Sequence, residues 1–160
     1  MKHHKVECNF NVFESIEDLP KQIQKLMKFA QEARLKAYAP YSNFLVGAAL
    51  ELENGEFISG NNQENAAYPS GLCAERTAIF YAKSKWPNQA ILRMAITAGS
   101  KLKTTNTPVP PCGSCRQVLV EYELQQELPI ELYFMGSDGT IVHSNSVENI
   151  LPWVFDKNML

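Results

Sequence analysis

The chain has 160 residues, 15 Lys and Arg against 17 Asp and Glu, a formal net charge of −2, and 45% hydrophobic against 20% charged residues. That length fits a single domain, 1–160, whose core needs no disulfides, and the composition is that of an ordinary soluble globular protein. No basic run is longer than two residues, which argues against a polynucleotide surface and leaves small molecules as the favoured partners.

The N-terminus, "MKHHKVECNF", lacks the apolar run of a signal peptide, and no stretch approaches a membrane span. The expectation is a cytoplasmic protein in a reducing compartment, where four cysteines are free, catalytic or metal-bound rather than paired. In "KVECNFNVF" the apolar residues Val6, Cys8, Phe10 and Val12 alternate with polar ones. That is the period of a half-buried strand, with Cys8 as a small core residue. Pro20 opens a helix on which Ile23, Leu26, Met27, Ala30 and Ala33 share a face up to Pro40. "FLVGAALEL" and "EFISG" flank Asn54-Gly55 and predict an antiparallel hairpin.

Cys73 to Lys85 reads as a helix with Ala74, Ala78, Tyr81 and Ala82 on its apolar face, and "RMAITA" as a short buried strand. A polar stretch leads to Pro111 and to a further helix, on which Cys115, Val118, Leu119 and Tyr122 share one side. "IELYFM" and "TIVHS" are strands around Ser137-Asp138-Gly139, and "SVENILPW" is a short last helix that stops near Pro152. Strands interleaved with helices in this way indicate a layered α/β domain with a mixed sheet. Each cysteine-bearing helix follows a loop, so their N-termini can lie side by side.

"PCGSCRQ", at 111 to 117, sets two thiols one helical turn apart. Two intervening residues fit a redox pair, a structural metal clip or half of a catalytic metal site. Cys73, in "CAER", supplies a third soft ligand beside Cys112 and Cys115, and a tetrahedral zinc with three protein ligands keeps one position open. A closed site would need a fourth donor from Cys8, His3, His4 or His143, none of which has the spacing of a metal clip. Glu75 lies two residues past Cys73, where it can stand near a metal without ligating it and move a proton. Alone it would read as a helix-dipole glutamate. Three thiolates on a dication leave one net negative charge. The two helix N-termini and Arg76, hydrogen-bonded to a cysteine sulfur, are the groups that can offset it; Arg116 is a weaker candidate.

With these residues the chain resembles the cytidine deaminases, in the small all-cysteine zinc form. "AYAPYSNFLVGAAL", "NQENAAYPSGLCAERTA", "PCGSCRQ" and "ILPWVF" carry the resemblance in order along the chain. It implies a three-layer α/β/α fold with a five-stranded mixed sheet, usually a homotetramer with active sites near subunit interfaces. The implied reaction converts cytidine and deoxycytidine to uridine and deoxyuridine with release of ammonia. The resemblance further implies one zinc per chain on Cys73, Cys112 and Cys115, with Glu75 as the proton shuttle and Arg76 beside the ligands. Asn62 and Glu64 would meet the ribose hydroxyls, Phe44 would pack on the pyrimidine and the Ala74 N–H would meet the base. Tyr68 and Phe155 fall where the family takes contacts from neighbouring subunits. Residues 1–18 are an N-terminal extension that adds an edge strand. The competing readings are a deaminase of another base or of a nucleoside antibiotic, an editing deaminase, a zinc-stabilised binding module, and a dithiol oxidoreductase.

Overall fold

In β2 (Phe44–Leu52) successive side chains go to opposite faces, Ala48, Leu50 and Leu52 into one core and Ala49 into another. A strand buried on both faces demands a helical layer on each side. One is α1 (Lys21–Arg34), which packs Leu26, Met27 and Ala30 against Ala49, Ala95, Tyr133 and Met135. The other consists of α2 (Ala74–Lys85) and α3 (Gly113–Gln126), which enclose Leu50, Met94, Ile96 and Leu132 with Ala78, Ile79 and Leu119. The computed structural model describes residues 1–160.

The remaining strands are β1 (Asn11–Phe13), β3 (Phe57–Asn61), β4 (Ile91–Ser100), β5 (Glu131–Met135) and β6 (Ile141–Ser144). They form a six-stranded sheet in the order β1-β6-β5-β4-β2-β3. Only β4 and β5 run parallel, joined through α3; the other pairs are antiparallel. The sheet is therefore the expected mixed one with β1 added at its edge. β2 and β3 meet through the Asn54-Gly55 turn, whose glycine takes φ +84°. No helix is long and apolar enough to cross a membrane.

Three local expectations are corrected. The N-terminal strand is confined to Asn11–Phe13, and Cys8 is exposed rather than a core residue. β1 has a strand on one side only, and no helical layer covers the residues before it, so the alternation of Val6, Cys8 and Phe10 has no core to face. On α2, Tyr81 is exposed, and Ile79 supplies the buried volume beside Ala78 and Ala82. The last helix is a single 3-10 turn, Glu148–Ile150.

Two features set the metal-bearing helices against the sheet. At Gly60 of β3 a Cβ would come within 2.5 Å of the Ala78 backbone nitrogen, so only glycine lets α2 lie this close. Glu123 of α3 is buried, and its carboxylate accepts from the backbone N–H groups of Ile130 at 2.7 Å, Val147 at 2.8 Å and Glu148 at 2.9 Å. One side chain thus fixes α3 to the start of β5 and to the 3-10 turn. Replacing Glu123 by Ala leaves three backbone donors, two of them buried, without this acceptor and is expected to lower unfolding stability by about 3 kcal/mol, with Gln losing less. Denaturant titration of the zinc-loaded protein checks this, and an Ala variant of unchanged midpoint contradicts it.

Candidate metal centre and active site

Cys73 is the N-cap of α2 and Cys112 the N-cap of α3, both with extended backbone. Cys115 lies one turn into α3, on the same side as Cys112. Because the two helices start side by side, the three sulfurs lie within 4.8 Å of one another. Cys112 Sγ is 3.5 Å from Cys115 Sγ and 4.0 Å from Cys73 Sγ. Zinc–sulfur bonds of about 2.3 Å place the sulfurs of a tetrahedral site about 3.8 Å apart, so the donor set fits zinc. No fourth Cys, His, Asp or Glu joins this cluster.

Protons are shared unevenly among the bare sulfurs. Cys73 accepts from the Cys115 thiol and from Arg76 and is pulled down to about 5, while that same shared hydrogen and burial push Cys115 up. All three ionise together only when a cation stands among them, which ties metal binding to proton release. Arg76 Nη2 donates to Cys73 Sγ at 3.5 Å, the contact expected of it. Its Nε is buried without a partner. Arg116 does not reach a sulfur: its Nε donates to the Pro111 carbonyl at 2.8 Å and its Nη1 to the Ile150 carbonyl at 2.9 Å. It holds the loop that delivers Cys112 against the 3-10 turn.

Glu75 occupies the first turn of α2 and is 4% exposed. Burial, and after it the negative Cys73, raises its carboxyl above the usual range. A carboxyl whose pKa is raised by burial therefore lies beside Cys73. Ala74, at the first position of α2, is buried beside it.

Asn62, Glu64, Tyr68, Cys73 and Arg76 line one open cavity of about 300 Å³. Five of the residues the sequence singles out thus line one cavity, and two of them have a local bond network. Asn62 Oδ1 accepts from Val46 N–H at 2.8 Å and its Nδ2 donates to the Phe44 carbonyl at 2.9 Å, extending the β2–β3 ladder by a side chain. One lone pair and one N–H stay available to a ligand. Glu64 accepts from Tyr41 N–H at 2.8 Å, from Ser42 N–H and from the Ser42 hydroxyl, and this last bond most strongly holds its carboxyl below the usual range. Phe44 is the first residue of β2, half-buried and joined to the cavity through Asn62. Phe155 stands apart from it, 57% exposed, with its carbonyl accepting from Gln117 Nε2 at 2.9 Å. Tyr68 is 80% exposed.

Two of the three histidines are engaged elsewhere. His143 is buried on the sheet, stacked on Tyr133 with centroids 4.3 Å apart and 3.3 Å from Glu131; His4 packs on Trp153. Cys8 lines a separate apolar groove. The fourth-donor reading has no residue to supply it.

The sequence profile described as "Cytidine and deoxycytidylate deaminase zinc-binding region" matches residues 20–128, a span that holds Cys73, Cys112, Cys115 and Glu75. The chain belongs to this family. It is 49% identical over 133 residues to the cytidine deaminase of Halalkalibacterium halodurans, covering 82% of this chain and 92% of that one. It is 39% identical over 138 residues to the cytidine deaminase of Sporosarcina psychrophila, covering 86% and 94%. The crystal structure of the cytidine deaminase of Burkholderia pseudomallei superposes with a TM-score of 0.70 at 37% identity, over 82% of this chain and 97% of that one. In keeping with the zinc-binding region that the profile describes, the metal the cradle suits is zinc, one per chain.

Sequence reading missed Arg116 as a carbonyl clamp and Glu123 as a buried acceptor. The second had a signal: Cys115, Leu119 and Glu123 lie four residues apart on one helical face, and an acid in a buried stripe marks a hydrogen-bonding task.

Arg76→Ala removes the donor that favours the Cys73 thiolate. The variant is expected to hold one zinc per chain near neutrality and to release it at a higher pH than the unaltered protein on acidification, as followed with a chromogenic chelator. Identical release curves contradict this role.

Proposed function

We propose that this chain is a zinc-dependent cytidine deaminase, hydrolysing cytidine and deoxycytidine to uridine and deoxyuridine with release of ammonia. The observation that carries the reading is the buried Glu75 carboxyl at the edge of a three-sulfur cradle that no fourth protein donor closes. Zinc held there supplies a Lewis acid that makes water ionise near neutrality.

Glu75 takes a proton from water as its oxygen bonds to C4 of the pyrimidine, and delivers that proton to N3. It then moves the proton of the new C4 hydroxyl to the exocyclic nitrogen; the C4–N bond breaks and ammonia leaves, while the N3 proton stays in the product. A carboxyl raised by burial suits both transfers, since an acid–base group works best with its pKa near the operating pH. Arg76 steadies the Cys73 sulfur during these steps.

Substrate is held by what remains free around the cavity. Asn62 offers one acceptor and one donor to the sugar hydroxyls, and Glu64 offers the part of its carboxylate not taken by Tyr41 and Ser42. Phe44 packs on the pyrimidine, and the Ala74 N–H meets the base. Tyr68 and Phe155 have side chains in solvent, and in our reading they complete the sites of neighbouring subunits in a homotetramer. The chain acts as one domain in the cytoplasm, in pyrimidine salvage. The slightly acidic charge favours free nucleosides over polynucleotides.

Glu75→Gln is expected to keep the fold and the zinc and to lose at least about a hundredfold to ten-thousandfold in ammonia release from cytidine. Turnover close to that of the unaltered enzyme, with zinc content matched, contradicts the assignment.

A further inference from the structure

The stretch that ends at Phe155 is gripped from two sides. On one side stand the α3 contacts: Glu123 on Val147 and Glu148, Arg116 on Ile150, and Gln117 on Phe155. On the other side lies the N-terminal segment. The Asn9 N–H donates to Asn149 Oδ1 at 3.0 Å and Asn149 Nδ2 donates back to the Asn9 carbonyl at 2.9 Å, a closed amide pair. The His4 ring meets Trp153 with centroids 5.3 Å apart in an edge-on arrangement. β1 anchors the segment to β6, with Asn11 Nδ2 3.1 Å from His143 Nδ1.

Between these grips the chain turns at Trp153, which takes φ +59°, a left-handed conformation that bulky side chains rarely adopt. Trp153 is 81% exposed, so core packing contributes little to holding it there. A backbone outlier of this kind persists where its surroundings over-determine it. Here the surroundings are Pro152 before it, the α3 bond to Phe155 after it and the His4 ring beside it.

We propose that residues 1–10 are a strap that positions the C-terminal arm, residues 151–155, and through it Phe155. These residues are outside the stretch matched by the family profile, and none of them hydrogen-bonds the cysteines or Glu75. The strap is a positioning element: it acts on nucleoside binding through the arm and leaves the proton chemistry at the cradle alone. This rests on the reading of Phe155 as a substrate contact.

Two variants cut the strap without touching α3. His4→Ala removes the ring, and Asn9→Pro removes the N–H that Asn149 accepts from. The measurements are amide exchange of residues 151–158 by mass spectrometry, zinc content, and KM and kcat for cytidine, with Phe155→Ala as reference. Each variant is expected to speed exchange of the arm by about two- to tenfold, the range for one lost hydrogen bond or comparable contact, and to raise KM by a similar factor at unchanged kcat and zinc. His4→Phe, which keeps a ring, should restore both. Unchanged exchange overturns the proposal, and so does a loosened arm with an unaltered KM. An unaltered KM in Phe155→Ala would instead remove the reading of Phe155, an outcome separable from the strap because exchange is read without reference to activity.

Discussion

Three sulfurs held within 4.8 Å of one another repel as soon as they ionise. Two thiolates 4 Å apart cost about 4 kcal/mol at an effective dielectric of about 20, and three of them make three such pairs. That repulsion is the constraint to which the fold answers. A dication removes most of it and leaves one net negative charge. Each helix N-terminus carries roughly half a positive charge, and two of them begin at the cradle. Arg76 adds a whole charge at Cys73. The compensation works only if α2 and α3 start side by side. Gly60 lets α2 approach the sheet, Glu123 ties α3 to β5 and the 3-10 turn, and Arg116 pins the loop ahead of Cys112.

The same arrangement sets what Glu75 can do. Its place in the first turn of α2, two residues past Cys73, keeps the carboxyl near that sulfur but outside the three-cysteine cluster. Burial there favours the protonated form, and the adjacent sulfur charge acts in the same direction. On the proposed function, the spacing "CAER" and the burial that α2 supplies are what let Glu75 take and return a proton. The cavity beside it is walled by side chains that already hold the local backbone together, so the Asn62 carboxamide and the Glu64 carboxylate stand in fixed positions on its wall.

What could be read from the sequence was what depends on local spacing. Helical periodicity identified Ile23, Leu26, Met27, Ala30 and Ala33, all buried, and Asn54-Gly55 marked the hairpin. "CAER" and "PCGSCRQ" each place ligands by intrahelical geometry, and their meeting in space needed only two adjacent helix starts. Features that depend on what covers a surface are not legible in this way. Alternation in "KVECNFNVF" is real, but only Asn11–Phe13 pairs with β6, and Cys8 has no layer above it. Bonds between residues distant in sequence, such as Arg116 to the Ile150 carbonyl, Asn149 to Asn9 and Glu123 to Val147, left no periodic trace. The polar roles of Asn62 and Glu64 toward β2 and the Tyr41–Ser42 loop were likewise invisible, because a side chain that completes a ladder looks in sequence like any loop polar residue.

The central claim is that the cradle holds one zinc on three sulfurs with its fourth position left to a light atom. X-ray absorption at the zinc edge of the purified protein tests it most directly. Three sulfur neighbours at about 2.3 Å and one oxygen or nitrogen neighbour are expected. Four sulfur neighbours, or a purified protein that takes up no zinc, would contradict it.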